Sequence, residues 1–535
     1  MIYKPKNHIR IVTAAALFDG HDASINIMRR ILQDQGAEVI HLGHNRSVSD
    51  VVKSVLQEGA QGVCVSSYQG GHMEYFKYMK DLLEQEGAGY VKIYGGGGGV
   101  IVHEEKKELE NYGIAQIFHP DDGRKLGLEG MIQMIIQGCD FDVLQAKSLP
   151  PKHQLFDQSF GLGRALTKIE NEVQVVLPKD FGLKVKAENR KVPVVGITGT
   201  GGAGKSSLID ELVQRFLNAY SDKKIAVVCV DPSKKKTGGS LLGDRIRMNS
   251  LSRDRVFMRS VASRGSGKEI AQSLPKILDF LKTLDFDLII AETSGIGQGN
   301  MAITEVSDLS MYVMTSDFGA QSQLEKIDMI DFADAIAVNK ADRRGAFDAL
   351  RDVTKQFKRS RKIFDDQVKV PVFLTQASQF NDGGVNRLFF SLMDHLQKFD
   401  SSFALNEVYK NKILSADETV IIPADRQNYL AEIVSTLRKY KERTKDLAQK
   451  ASLIGSWMKI QKADLQIKAS DDQFARMKED FTQEELQALE NFEDLQKRYS
   501  EDELVFQVRD KVIRQKLVTP SLSGTKIRKV VVPKL

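Results

Sequence analysis

Four residues in GITGTGGAGKSSL carry the first recognisable chemistry: Gly199, Gly204, Lys205 and Ser206 keep the spacing G-x-x-x-x-G-K-[ST]. Such a loop folds backbone N–H groups around phosphate oxygens, and the helix that follows adds its positive end. Gly201 and Gly202 keep side chains out of the cradle, and Ser207 belongs to the same first helical turn. Lys205 would reach the β and γ phosphates, and Ser206 would ligate magnesium. A glycine-rich turn before an ordinary helix is the bland alternative. The apolar run VPVV before the loop and the helical pattern after it favour the nucleotide.

AVNKAD follows another strand-like run. Asp342 can accept from guanine N1–H and the exocyclic amine, a donor pattern that adenine lacks. Asn339 can address the opposite ring edge, and the Lys340 stem can cover the ring face. A surface loop is the usual fate of such a tetrad, but behind a P-loop it selects GTP. Gln376 and Ala377 of TQAS stand where a backbone contact to the base is expected. Between these motifs, Asp231 and Glu292 end strand-like runs, and Asp244 sits in a glycine-rich segment able to move with nucleotide state. Acids so placed bind magnesium directly or through water, or serve as caps and turns. Lys205, Asp244, Glu292 and Gln298 are the catalytic candidates, with no general base singled out. The Lys234–Lys236 run reads as a solvated face.

A second constellation lies near the N-terminus. LFDGHDAS, SSYQGGH and YGGGGGV each follow a strand-like run, and in an open parallel sheet ligands bind beyond the carboxyl ends of strands. His21 can coordinate a metal through one ring nitrogen while Asp19 orients the other. The five glycines suit close approach of a bulky ligand to backbone. The alternative is structural: Asp22 caps a helix, Asp19 closes a turn and His21 is wet.

These motifs need particular elements beneath them. Residues 1–145 alternate short β-branched runs with helical periodicity, which predicts a parallel sheet covered on both faces. A linker is expected over 146–190, a second α/β series over 191–403, and a mainly helical region over 404–535. At 535 residues the chain is too long for one core. Its 76 basic and 71 acidic residues are too evenly matched for a nucleic-acid binder. Three scattered cysteines form no zinc or disulfide pattern. With no apolar run of signal or spanning length, a cytoplasmic protein without membrane contact is expected.

VDPSKKKTGGSLLGDRIRM, SRGSGKEIAQ and AETSGIGQG resemble the GTPases of the MeaB/ArgK type, SIMIBI-class chaperones that load and protect cobalamin-dependent acyl-CoA mutases. DGHD with its glycine loops resembles the mutases' cobalamin-binding domain, of flavodoxin/Rossmann-like fold. That likeness implies His21 as lower axial ligand of cobalt, oriented by Asp19. It places the cofactor's nucleotide tail beside Ser66, Tyr68, Gly95, Gly96 and Gly97. Ser24 stands where the general motif has glycine, and Tyr68 where it has leucine. The order of domains resembles the fused isobutyryl-CoA mutases over nearly the whole chain, including SLSGTKIRKV. The resemblance implies adenosylcobalamin, GTP and Mg2+ as cofactors, Ser206, Asp231, Asp244 and Glu292 as magnesium ligands, and a dimer. It also implies a (β/α)8 substrate barrel supplied from outside these residues, without which no mutase turnover is expected. Isobutyryl-CoA/n-butyryl-CoA interconversion is the expected overall reaction. A stand-alone GTP-regulated cobalamin carrier for a separate mutase is the alternative. A receiver-like signalling GTPase with Asp19 as phosphoacceptor ranks third.

Overall fold

The computed structural model describes residues 3–21, 23–147, 156, 158–171, 176–187, 190–264, 271–293, 295, 301–319, 324–365, 367–415, 429–463, 471–508 and 511–528. Contacts divide the chain into two units, Met1–Thr419 and Val420–Leu535.

The first unit opens with β1 (Arg10–Ala16), α1 (Ala23–Asp34), β2 (Glu38–Arg46), α2 (Val48–Glu58), β3 (Gly62–Ser66), α3 (His72–Gln85), β4 (Lys92–Gly96), α4 (His103–Tyr112), β5 (Gln116–Phe118) and α5 (Pro120–Cys139). The strands lie in the order β5-β4-β3-β1-β2, all parallel. Every residue of β1 and β3 is buried, as a sheet covered on both faces requires. The order brings the ends of β1, β3 and β4 side by side.

α6 (Ser159–Asn171) leads to the second series. Its elements include β6 (Val194–Gly199), α7 (Lys205–Ala219), β7 (Ile225–Asp231), β8 (Ser240–Leu242), β9 (Val256–Ala262), β10 (Leu288–Glu292), β11 (Leu309–Met314), β12 (Ala335–Asn339) and β13 (Val372–Thr375). Seven strands form a parallel sheet, β13-β12-β11-β6-β10-β7-β9. β8 leaves this series and joins the first sheet, pairing in parallel with β2: Glu38 faces Ser240 and Ile40 faces Leu242. The glycine-rich segment before Asp244 is therefore a strand shared with the first sheet.

α2 shows how closely the two sheets' layers are packed. Ser47 caps it by accepting from the Asp50 N–H at 3.1 Å, and Gly59 ends it at φ 54°. Residues 51–58 are all buried, polar Lys53, Gln57 and Glu58 included. An amphipathic helix buries one face; α6 and β9 cover the other.

One expectation about organisation needs correction, and the mainly helical C-terminal region gains a detail. The stretch 146–190 contains α6, whose Leu162, Ala165, Leu166 and Ile169 enter the core that underlies the second sheet. Glycines and polar residues in SFGLGRALTKIEN hide that apolar stripe from a composition reading. The C-terminal unit has the long helix Tyr429–Lys462, in which Trp457 stacks on Phe474 at 4.6 Å. It also contains an antiparallel hairpin, Glu503–Val508 with Lys511–Lys516, and a small pair, Val518–Pro520 with Lys526–Arg528. Among the described residues, no helix is long and apolar enough to cross a membrane.

Candidate functional site

β6 delivers the chain to Gly199, where φ is 152° and a Cβ would meet the Val313 carbonyl at 1.9 Å. Gly204 takes φ 90° directly before α7. Only glycine tolerates both demands, and the loop between them leads into the positive end of a 15-residue helix. Lys205 is buried, and its ammonium donates to the carbonyls of Gly199 and Thr200 at 3.3 and 3.4 Å. The guanine tetrad sits against the same loop. Asn339 donates to the Ala203 carbonyl at 2.8 Å and accepts from the Ala377 N–H at 3.1 Å. Lys340, at φ 62°, donates to the Gly202 carbonyl at 2.6 Å. Gln376 donates its N–H to Asp382 at 2.9 Å, and Asp342 is exposed.

Three acids meet beside Ser206, whose hydroxyl lies 2.9 Å from Asp244 Oδ1 and 3.2 Å from Glu292 Oε1. Asp231 adjoins them, with a buried Oδ2 that has no hydrogen-bond partner among the described residues. Cys229, which the motif reading missed, closes the floor: its thiol is 3.5 Å from Glu292 Oε2. One donor atom each from Cys229, Asp244 and Glu292 lies within 4.8 Å of the others. Burial, then repulsion from Asp244, pushes Glu292 up to about 8. Burial, then Asp244 and Glu292, raises Asp231 well above the ordinary carboxylate range. Burial, with Glu292 adding repulsion, raises the Cys229 thiol too. Two acids at the Ser206 hydroxyl, with Asp231 beside them, form a hard-oxygen donor set of the kind magnesium takes. Only its position at the end of β7, two residues before Asp231, marked Cys229 in the sequence. Gln298 and Asp22 lie outside the described residues.

At the other sheet, Asp19 is fully buried. Its Oδ1 accepts from the His21 N–H and from His21 Nδ1, both at 2.9 Å, and its Oδ2 accepts from the Tyr68 N–H at 2.7 Å. With Nδ1 held, His21 Nε2 is left to act as a lone-pair donor. The His21 side chain is 64% exposed and leans on Tyr68, ring centroids 5.4 Å apart. Asp19 has no oxygen facing solvent, which removes the support for a phosphoacceptor. Beyond the strand ends runs a cleft of about 280 Å³ whose lining includes Ser24, Ser66, Tyr68, Gly96, His119 and Leu128. The Ser24 and Ser66 hydroxyls are buried without partners among the described residues, so the cleft offers two polar groups to a ligand.

Gly95, Gly96 and Gly97 line the cleft, and packing within the domain makes a second demand on the glycine loop. A Cβ at Gly95 would strike Phe76 at 2.4 Å, and one at Gly97 would strike the Ser67 carbonyl at 1.9 Å. Packing inside the domain demands those glycines, whereas Gly99 faces open space. His119 and Leu128, after β5, were missed. Pro120 at the start of α5 is the signal for that fourth loop.

A family model described as methylmalonyl Co-A mutase-associated GTPase MeaB matches residues 162–432, and one described as B12 binding domain matches residues 9–123. The chain is 50% identical over 547 residues to a fused isobutyryl-CoA mutase of Geobacillus kaustophilus, covering 100% of this chain and 50% of that protein. It is 48% identical over 540 residues to one of Cupriavidus metallidurans, covering 99% and 49%. A GTPase of Pyrococcus horikoshii is 31% identical over 265 residues, covering 49% of this chain and 81% of that one. The chain thus spans about half the length of the fused mutases it matches.

Proposed function

The chain belongs to the family of methylmalonyl-CoA mutase-associated GTPases of the MeaB type and carries a B12-binding domain. On that premise we propose that it is the cobalamin-loading part of an adenosylcobalamin-dependent acyl-CoA mutase, in which GTP hydrolysis gates cofactor binding. We assign residues 1–145 to the cobalamin-binding domain and 191–403 to the GTPase. Isobutyryl-CoA/n-butyryl-CoA interconversion is the overall reaction, with the acyl-CoA held by a barrel outside these residues. A homo-oligomer, a dimer by the same resemblance, completes the assembly.

The observation that carries this reading is the Asp19–His21 pair against Tyr68, which lines a cleft with two hydroxyls unpartnered among the described residues, in one compact unit with a P-loop and its acid cluster. Asp19 holds the imidazole tautomer and orientation, and Nε2 is the cobalt ligand. Ser24 and Ser66 receive the cofactor's polar tail. Bound adenosylcobalamin supplies the radical chemistry, and the chain holds, orients and shields it. At the second site Lys205 and the P-loop amides bind phosphate. Ser206, Asp231, Asp244 and Glu292 hold magnesium, and Asn339, Lys340 and Asp342 read guanine.

Titration with adenosylcobalamin, followed by its visible spectrum, tests the assignment. The wild-type chain is expected to bind and change the spectrum. His21→Ala is expected to abolish that change and to weaken binding at least about tenfold. An unaltered spectrum and affinity in the variant would sink the axial-ligand role.

A further inference from the structure

Asp244, a proposed magnesium ligand, stands in a segment gripped on both sides by the cobalamin-binding domain. Before it, β8 adds to that domain's sheet, and the Ser240 N–H donates to the Ala37 carbonyl at 3.1 Å. Gly239 passes so close that a Cβ there would lie 2.0 Å from the Gln33 carbonyl. After it, Arg245 is buried and donates to Glu58 Oε1 at 2.6 Å and Gln57 Oε1 at 3.0 Å, both on α2. Ile246 then packs on the Cα of Gly43, which has no room for a Cβ. Arg245 and Ile246 belong to the short turn Asp244–Arg247, and Asp244, its first residue, is the one that meets Ser206.

Glu58 has no exposed surface, and its carboxylate is fully engaged. Oε1 accepts from Arg245, from the Ser260 N–H at 3.1 Å and from the Ser260 hydroxyl at 3.0 Å; Oε2 accepts from Arg10 at 3.2 Å. It is a fixed point of the cobalamin-binding domain, and Arg245 hangs on it by a charge-assisted bond. A carboxylate that must meet a cation within a few tenths of an ångström depends on such backing.

We propose that Glu58 is a positioning residue for the nucleotide site: through Arg245, and together with the β8 clip, it holds the Asp244 carboxylate at the magnesium position. The GTPase centre is then complete only while the cobalamin-binding domain is docked, and displacement of α2 or β2 by cofactor reaches magnesium directly. This rests on the magnesium assignment made above and adds to it a residue from the other domain.

The test uses the full chain and a fluorescent GDP, titrated with Mg2+ and, separately, in EDTA. Glu58→Gln keeps the shape and loses the charge. Gly239→Ala forces β8 off the first sheet without touching any charge. Each is expected to raise the Mg2+ concentration for half-maximal nucleotide binding about tenfold. Affinity in EDTA should stay within about twofold of wild type, because the P-loop amides and guanine contacts are untouched. Excess Mg2+ should restore GTP turnover. Asp244→Asn is the reference variant. If it shifts the Mg2+ requirement while both Glu58→Gln and Gly239→Ala, folded by circular dichroism, leave it unchanged, the positioning role is overturned alone. If Asp244→Asn leaves the requirement unchanged as well, the magnesium assignment falls and the positioning role with it.

Discussion

The buried charge around Glu170 and the buried charge around Glu292 use the same chemistry and balance it differently. In the first, Arg10, Arg245, Arg259 and Arg264 interleave with Glu38, Glu58 and Glu170 at 2.6–3.4 Å. Burial works to raise Glu170, yet Arg259, Arg10 and Arg264 outweigh it and hold the carboxyl at about 2. In the second, Asp231, Asp244 and Glu292 face one another, and Glu292 rises to about 8. The first knot is complete without any ligand and joins α6, β9 and the first sheet. The second is short of positive charge. A buried acid whose partners are arginines is architecture, and one whose partners are acids marks a place for a cation.

The largest effect that separates the two comes from removing one acid. Glu170→Ala strands buried Arg259 and leaves Arg10 and Arg264 with one carboxylate fewer, so a loss of about 3–5 kcal/mol is expected. Urea denaturation of the nucleotide-free chain measures it, and a loss below about 1 kcal/mol would contradict the balanced picture. Glu292→Gln should act in the opposite direction. It removes the cost of keeping a buried acid protonated, so the chain in EDTA is expected to gain about 1–3 kcal/mol at neutral pH, while Mg2+-dependent nucleotide binding is lost.

The sign of the pH dependence distinguishes the knots further. Glu292 holds its proton in the folded chain up to about 8, whereas the unfolded chain releases it near the ordinary value. Metal-free stability should therefore fall as pH rises across that window and level off above it. Stabilisation by Mg2+ with GDP should grow over the same range, because the cation takes the ionised form. Glu170 does the reverse: its contribution is present above the unfolded value and disappears as pH falls toward about 2. Melting temperatures from pH 5 to 8, with Mg2+ and with EDTA, read the Glu292 slope, and Glu292→Gln should flatten it.

How much of this the sequence disclosed follows from the range of each interaction. Gly199, Gly204, Lys205 and Ser206 were legible because one loop holds the whole cradle. The Asp19–His21 pair was legible because its two members lie two residues apart on one loop. The acids at 231, 244 and 292 were named singly, but nothing local said that they gather in one cluster, two of them at the Ser206 hydroxyl. Nothing in the motifs pointed to Glu58, Glu170 and Arg259, because their partners are 48 to 202 residues away. β8 was hidden for the same reason. KKKTGGSLL has the composition of a mobile loop, and the strand it completes belongs to another domain.

The smallest expected effect lies on that same loop and bounds the comparison from the exposed side. Lys234 pairs with Asp34 of α1, but the two side chains are 46% and 57% exposed. Water already solvates both charges, so the pair gains little by meeting and spends side-chain entropy to do so. Lys234→Ala is expected to leave stability within about 0.5 kcal/mol of wild type. The Mg2+ requirement for nucleotide binding should not move, because β8 pairing, Gly239 and Arg245 remain in place. The prediction separates two ways of joining the domains. If the clip holds Asp244 by backbone pairing and buried charge, losing Lys234 is silent. If long-range attraction between the lysine run and α1 holds it, Lys234→Ala would raise the Mg2+ requirement as much as Glu58→Gln does, and added salt would do the same to wild type.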